Sequence, residues 1–304
     1  MSRLPRQPSI QAKPASRGRG LVVFFVGGAL ALGCESANHA KDASPSTSQH
    51  LSQVSVRLDI PSGGAPSVSV LAFRAEAVDM STSDVLGAVD PLVAAPPESA
   101  CELRDVAGTA RMVRAQGGML NLQELSGVSL QTGDDDGDAP LRPAPRVYPP
   151  LADVVSGVIA EAGPKDLSKV PEAIGLAVPT QNGNATLKLG LPQPLAVADS
   201  NDKPLDGRTP LTMKGDLVLR VSGPPRTFLE VRPFGAPSAI ACAASSGGWV
   251  VVPYDLLVKL VASAGPAPVS FEAVWRENRL VSAGSEAIRV SFEARSSAVL
   301  ELRP

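Results

Sequence analysis

Histidine is nearly absent from this chain of 304 residues. Its two histidines, His39 and His50, lie in a polar segment near the N-terminus. The part expected to fold therefore has no imidazole to activate a serine or cysteine nucleophile. It also lacks the histidines that zinc sites usually combine with cysteines. These absences argue against triad hydrolases and zinc enzymes, and no cofactor is expected.

Aromatic residues and basic clusters are also scarce. Only 4% of the residues are aromatic, whereas carbohydrate sites usually recruit aromatic platforms. Trp249 and Trp275 occupy alternating strand positions, so both are expected in the core. No run rich in Lys and Arg follows residue 34, and a nucleic-acid partner is not expected.

The longest uncharged apolar run is Leu21–Cys34, LVVFFVGGALALGC. It is too short for a mature transmembrane helix, which needs about 20 apolar residues. A basic segment upstream, a short apolar stretch and small residues before the cysteine are typical of a secretory signal. The basic residues are Arg3, Arg6, Lys13, Arg17 and Arg19. The signal peptide is predicted to span residues 1–33.

The segment Leu30–Cys34 resembles a bacterial lipobox, although Ala31 stands where leucine is most common. The resemblance implies that Cys34 carries a thioether-linked diacylglycerol and an N-acyl chain such as palmitate. Two or three acyl chains anchor a protein firmly, whereas one gives only marginal binding. Glu35 is not the aspartate that often retains such proteins in the inner membrane, so the outer membrane is favoured within the cell envelope.

Removal of the signal makes the chain acidic. The signal holds five of the 28 Lys+Arg and none of the 30 Asp+Glu, which leaves 23 against 30 and a formal net charge of −7. Anionic headgroups repel such a chain. The membrane is therefore expected to be a partner only through the lipid on Cys34.

The rest of the chain is predicted to be all-β. Residues 34–50 form the lipidated cysteine and a polar, disordered tether. Short alternating segments between Pro- and Gly-rich turns follow, for example Val54–Ile60 and Trp249–Val252. They favour one or two β-sandwich domains. The predicted bounds are 51–165 for the N-terminal domain and 173–304 for the C-terminal domain. One short helix is predicted from Pro253.

The segment Ile240–Leu257, IACAASSGGWVVVPYDLL, carries a C…G…VPxxLL pattern, and Asp216–Val221 precedes it as a strand. Together they resemble predicted myxobacterial-type lipoproteins of unknown function. The match covers Ile174–Val281. The resemblance implies an Ig-like β domain and no catalytic activity.

Two cysteines remain after lipidation, Cys101 and Cys242. An even number of cysteines in an exported protein suggests a disulfide. The alternative is a pair of buried thiols.

The densest charge cluster is TGDDDGD, in which Asp134, Asp136 and Asp138 have a spacing that can converge on calcium. An EF-hand is excluded, because Ala139 and Pro145 stand where glycine and glutamate are required. A solvated acidic turn is the alternative.

The sequence predicts a lipid-anchored envelope protein with a non-enzymatic interaction or scaffolding role, which includes contacts with other envelope proteins. Two alternatives stay open. One is a calcium- or glycan-binding surface module centred on residues 134–138. The other is a carboxylate-based hydrolase, whose acidic residues can come from distant strands.

Overall fold

A computed structural model represents the protein. It describes residues 48–79, 81, 101–105, 118–132, 139–140, 142–145, 155–180, 183–206, 210–236, 238–264, 267–283 and 286–303. Cys34, Asp134, Asp136 and Asp138 lie outside these residues. The signal peptide and most of the tether lie outside them as well.

The described residues form nineteen strands and one helix. The first ten strands are β1 (Ser48–Pro61), β2 (Ser67–Val78), β3 (Cys101–Asp105), β4 (Met119–Glu124), β5 (Ser129–Gln131), β6 (Ala139–Pro140), β7 (Arg142–Pro145), β8 (Val155–Asp166), β9 (Ile174–Thr180) and β10 (Gly183–Leu189). The others are β11 (Ala196–Ala198), β12 (Leu211–Thr212), β13 (Leu217–Ser222), β14 (Phe228–Pro233), β15 (Ser238–Ala243), β16 (Trp249–Val252), β17 (Val269–Ala283), β18 (Glu286–Leu300) and β19 (Leu302–Arg303), with helix α1 (Tyr254–Ala264) between β16 and β17.

Ten strands form one large sheet in the order β3-β15-β14-β17-β18-β1-β2-β4-β8-β7. Strands β17 and β18 form a long antiparallel hairpin, and β18 also pairs with β1 in parallel. The N-terminal and C-terminal parts of the chain therefore share a sheet. The order of the strands decides which side chains meet on each face, because side chains alternate along every strand.

Three smaller sheets complete the described fold, with orders β10-β9-β5-β6, β11-β13-β16 and β12-β19. Apolar residues from one face of the large sheet, from the two larger of these small sheets and from α1 belong to a single core cluster. Examples are Val56 and Phe292 in the large sheet, Leu176 in β9, Leu219 in β13 and Leu257 in α1. This layering confirms an all-β sandwich, while the Ig-like assignment remains a prediction.

Helix α1 begins where the sequence predicts. Its first backbone N–H, that of Tyr254, donates to Asp216 Oδ1 at 2.9 Å. The carboxylate thus satisfies one of the amide groups that have no partner within the helix. Leu257 and Leu260, three residues apart, are fully buried against the sheets.

Two predicted boundaries need correction. The tether was expected to reach residue 50, but Ser48–His50 pair with β2 because the β1–β2 ladder continues to Ser48↔Val78. The break expected between residues 165 and 173 is not seen. The described residues from 48 to 303 belong to one compact unit, in which β1 and β18 pair over ten residue positions.

Candidate functional site: a buried ionic face and a cationic cleft

The face of the large sheet opposite the main core carries alternating charged residues on four neighbouring strands. Register places Glu230 opposite Glu272, Arg276 opposite Glu293, and Asp59 opposite Arg295. We call this set the ionic face. Its members are Arg57, Asp59, Glu230, Arg232, Glu272, Arg276, Glu293 and Arg295.

Arg295 is the centre of the ionic face. Its Nη1 donates to Glu272 Oε2 at 2.6 Å and to Glu230 Oε1 at 3.2 Å, and its Nε donates to Glu293 Oε1. Arg295 is 4% exposed and Glu230 is 1% exposed. One guanidinium therefore links carboxylates from β14, β17 and β18 in a largely water-free setting.

Glu293 is a second centre. It accepts hydrogen bonds from Arg276 Nε at 2.5 Å and from Arg57 Nε at 3.1 Å, in addition to the bond from Arg295. Arg57 extends the network to β1, and Arg232 Nη2 donates to Glu230 on β14. The eight residues carry four formal charges of each sign, so the buried network is formally neutral. Such a balance is what makes burial of charge tolerable.

The arginines keep these carboxylates ionised. Burial alone would raise the pKa of Glu293, but Arg295, Arg276 and Arg57 lower that pKa well below its usual range. Burial would also raise the pKa of Glu230, but Arg295 and Arg232 lower it below its usual value. Asp59 differs: burial raises its pKa, with Arg57 and Arg295 acting against that rise. The ionic face is thus mainly a set of ionised pairs that join four strands.

These pairs predict acid sensitivity. A carboxyl group whose pKa is lower in the folded chain than in the unfolded chain contributes stability that is lost as the pH falls. Asp59 contributes in the opposite sense, but it is one carboxyl against two, and Glu293 accepts hydrogen bonds from three arginines. We expect the urea midpoint to fall as the pH drops from about 5 to 3. In Glu293→Gln the same profile should be flatter, and an unchanged slope would contradict this account.

Cys101 and Cys242 form a disulfide. They lie directly opposite each other on β3 and β15, and Cys242 is fully buried in the main core. The structure therefore confirms the disulfide and not the alternative, a pair of buried thiols. It attaches the short edge strand β3 to the large sheet.

The two tryptophans have different environments. Trp275 packs partly buried on the main core, edge-to-face with Phe292 at a centroid distance of 5.9 Å. Trp249 was expected in the core as well, and this is wrong. It is 38% exposed on the outer face of β16, because Val250 and Val252 take the inward positions. The guanidinium of Arg220, opposite it on β13, lies 5.6 Å from its ring centroid.

A cleft of about 610 Å³ opens beside Trp249, between the β13–β14 and β15–β16 connections. We call it the Arg226 cleft. Its lining includes Gln193, Arg220, Ser222, the turn 223–227 and the loop 244–248. Its volume falls within the range of roughly 300–1,000 Å³ that is usual for ligand clefts. None of the described residues that line it is acidic.

Sequence reasoning missed both features. The ionic face combines residues more than 200 positions apart, such as Arg57 and Glu293, and their alternation with apolar residues resembles that of a solvent-facing strand. The cleft had one visible signal, the turn sequence Gly223-Pro-Pro-Arg226. From the sequence alone, such a Pro- and Gly-rich turn predicts only the boundary between two strands.

No metal site or membrane helix is found in the residues that the structure describes. Within them, no group of three or more His, Cys, Asp or Glu residues could hold a metal ion. No helix among the same residues is long and apolar enough to cross a membrane. The calcium prediction for Asp134, Asp136 and Asp138 falls outside them and stays a prediction.

Comparison with models of protein families, with curated proteins and with solved structures finds no match for this chain.

Proposed function

We propose that this chain is a lipid-anchored protein of the bacterial cell envelope that acts by binding another envelope component, without catalysis. The observation that carries the proposal is the order of features along the chain. A predicted signal peptide and Cys34 precede a β body that contains the Cys101–Cys242 disulfide. Stable disulfides are typical of exported proteins, since cytosolic thiols are kept reduced.

The tether limits where the body can act. Residues 35–47 separate Cys34 from the first residue of β1. A flexible chain of that length has an end-to-end distance of roughly 20 Å. A body held so close to its anchor suits contacts with other envelope proteins near the membrane surface, and the outer membrane is the favoured location. We also propose that the body is Ig-like.

Two of the four carboxylates of the ionic face are unsuited to proton transfer. A glycoside hydrolase of the usual kind needs one carboxylic acid that stays protonated beside an ionised carboxylate. In the ionic face, the pKa values of Glu230 and Glu293 are lowered by arginines that contact them. Those glutamates are held as charges and serve as links between strands.

The anchor is tested by Cys34→Ala. We expect this variant to lose labelling by radioactive palmitate and to leave the membrane fraction, because the thioether that carries the lipid cannot form. Ser36→Ala is the matched control, and it should remain labelled and membrane-bound. Palmitate labelling that persists in Cys34→Ala would exclude lipidation at that residue. Membrane retention without labelling would mean that residues 21–33 stay uncleaved as an anchor.

The interaction role is tested by cross-linking in intact cells, followed by affinity capture and mass spectrometry. Envelope proteins enriched with the native chain and lost with Cys34→Ala would support a partner that is reached through the anchor. The same set of proteins captured by both forms would contradict a role for the anchor in partner choice.

A further inference from the structure

Arg226 occupies a backbone position that favours glycine. The turn Pro224–Thr227 is closed by a hydrogen bond from the Thr227 N–H to the Pro224 carbonyl at 3.1 Å. Pro225 and Arg226 are its central residues, and Arg226 has φ +69°. A proline followed by a residue with positive φ is the pattern of a type II turn, in which glycine or asparagine is usual at the second central position. Arginine is therefore unfavourable for the turn itself.

The side chain of Arg226 makes no hydrogen bond or ion pair with the described part of the fold. It is exposed, and it has no hydrogen-bond or ion-pair partner among the described residues. Thr227 is buried and holds the turn through a second bond, from its Oγ1 to the Pro224 carbonyl at 2.6 Å. These two bonds hold the turn, which presents the Arg226 guanidinium at the edge of the Arg226 cleft.

A second guanidinium lines the same cleft. Arg220 Nη1 donates to Asp202 Oδ1 at 2.7 Å, and the guanidinium lies over the Trp249 ring. The ion pair and the ring fix the position of Arg220. Arginine presents several N–H donors in one plane, which suits a carboxylate bound through both of its oxygens. Asp202 offsets the charge of Arg220, but no acidic residue lines the cleft itself and Arg226 has no described partner, so the Arg226 cleft favours an anionic ligand.

Besides the two arginines, the lining includes four exposed side chains that carry a hydroxyl or an amide group. Ser222, Ser245, Ser246 and Gln193 are all exposed along the cleft. Ser245 Oγ accepts a hydrogen bond from the Trp249 N–H at 3.1 Å, so its own O–H remains able to donate. These groups match a ligand that carries many hydroxyls.

Trp249 does not line the cleft, but it supports two residues that do. A Cβ at residue 247 would lie only 3.2 Å from Trp249 Cδ1, so Gly247 lets the ring lie close against the loop. The guanidinium of Arg220 lies over the same ring, which helps to hold Arg220 in position.

We propose that the Arg226 cleft binds an acidic saccharide, with Arg226 and Arg220 on its carboxylate and the serine and glutamine side chains on its hydroxyls. An acidic peptide would satisfy the two arginines. The saccharide is favoured because four exposed hydroxyl or amide side chains, those of Gln193, Ser222, Ser245 and Ser246, line the cleft together with the arginines. The apolar lining residues are Val221, which is buried, and Pro224, Pro225 and Ala244. This proposal is independent of the lipid anchor and of the envelope partner.

Calorimetric titration of the detergent-solubilised full-length protein with trigalacturonic acid tests the proposal. The neutral trisaccharide maltotriose and the peptide pentaglutamate are the comparison probes. We expect binding of trigalacturonic acid, and binding at least tenfold weaker for either of the other two. Tighter binding of pentaglutamate would overturn the saccharide in favour of an acidic peptide. Equal binding of maltotriose, or no binding of trigalacturonic acid, would overturn the proposal.

Arg226→Gly is the decisive variant, because glycine suits the positive φ of this turn. We expect its melting temperature to equal that of the native chain or to exceed it slightly, while its affinity for trigalacturonic acid falls at least tenfold. Lys169→Ala removes one charge from an exposed loop that does not line the cleft, and it should bind normally. An equal loss of affinity in the two variants would overturn the proposal, since it would show only general attraction between charges.

Discussion

Replacing Arg295 with methionine should destabilise the protein by about 4 kcal/mol at pH 7, because it leaves buried carboxylates without their shared partner. Methionine fills much of the volume of the arginine stem but carries no charge. Glu230 and Glu272 would lose the guanidinium nitrogen that bonds them both, and Glu293 would lose one of its three arginine partners. Urea unfolding followed by circular dichroism measures the loss.

Lys259→Met is the matched control for this substitution. Lys259 pairs with Asp255 at 3.7 Å on the surface of α1, and both side chains are more than 60% exposed. Exposed pairs of this kind contribute at most about 1 kcal/mol. Equal losses in Arg295→Met and Lys259→Met would contradict the role given to the ionic face.

The pH profile separates lost charge pairing from lost packing. In Arg295→Met the unpaired carboxylates can take up protons, and protonation removes their repulsion and their unfavourable burial as anions. The difference in unfolding free energy between the native chain and the variant should therefore shrink from pH 7 to pH 4. A difference that stays constant over this range would indicate a packing defect instead.

A second substitution should partly rescue the first. Glu230→Gln in the Arg295→Met background removes one of the stranded charges, so the double variant should be more stable than Arg295→Met alone. The free-energy changes of substitutions within one network are expected to be non-additive in this way. Simple addition of the two single losses would show that Glu230 and Arg295 are not energetically coupled.

The sequence was sufficient for most local structure in the described residues. Alternation in Val54–Ile60 predicted β1, and the apolar spacing after Pro253 predicted α1. Alternation in the segments 288–294 and 298–302 predicts two separate strands, but β18 runs through Ser296 and Ser297. The continuous ladder with β17 supports these polar residues within the strand. The local sequence does not show that a neighbouring strand will pair with these residues.

The candidate sites were harder to predict because they depend on register between distant strands. Arg57, Glu230 and Arg295 meet only because β14, β17, β18 and β1 are neighbours in the large sheet. Each of them, taken alone, resembles a solvent-facing residue of a half-buried strand. The Cys101–Cys242 pairing depends on register in the same way, since β3 and β15 must be adjacent. The presence of two cysteines in the sequence is equally compatible with a disulfide and with two free thiols.

Loss of the Cys101–Cys242 disulfide should destabilise the protein by roughly 5 kcal/mol in the chain-entropy model. The bond closes a loop with a sequence separation of 141 residues, and long loops give the larger entropic effects. For a chain of this size the loss corresponds to a fall in melting temperature of roughly 10 °C. We expect that fall when the native protein is melted with reductant, compared with melting without it.

Cys101→Ala/Cys242→Ala should melt at the lower temperature in both conditions, because it has no bond to reduce. Cys34→Ala keeps the disulfide and should respond to reductant like the native chain. Strand β3 has only five residues and pairs with β15 alone. Its amide protons should therefore exchange faster once the bond is broken, while those of β17 and β18 change less. Identical melting of the native chain with and without reductant would mean that the two cysteines are not bonded in solution.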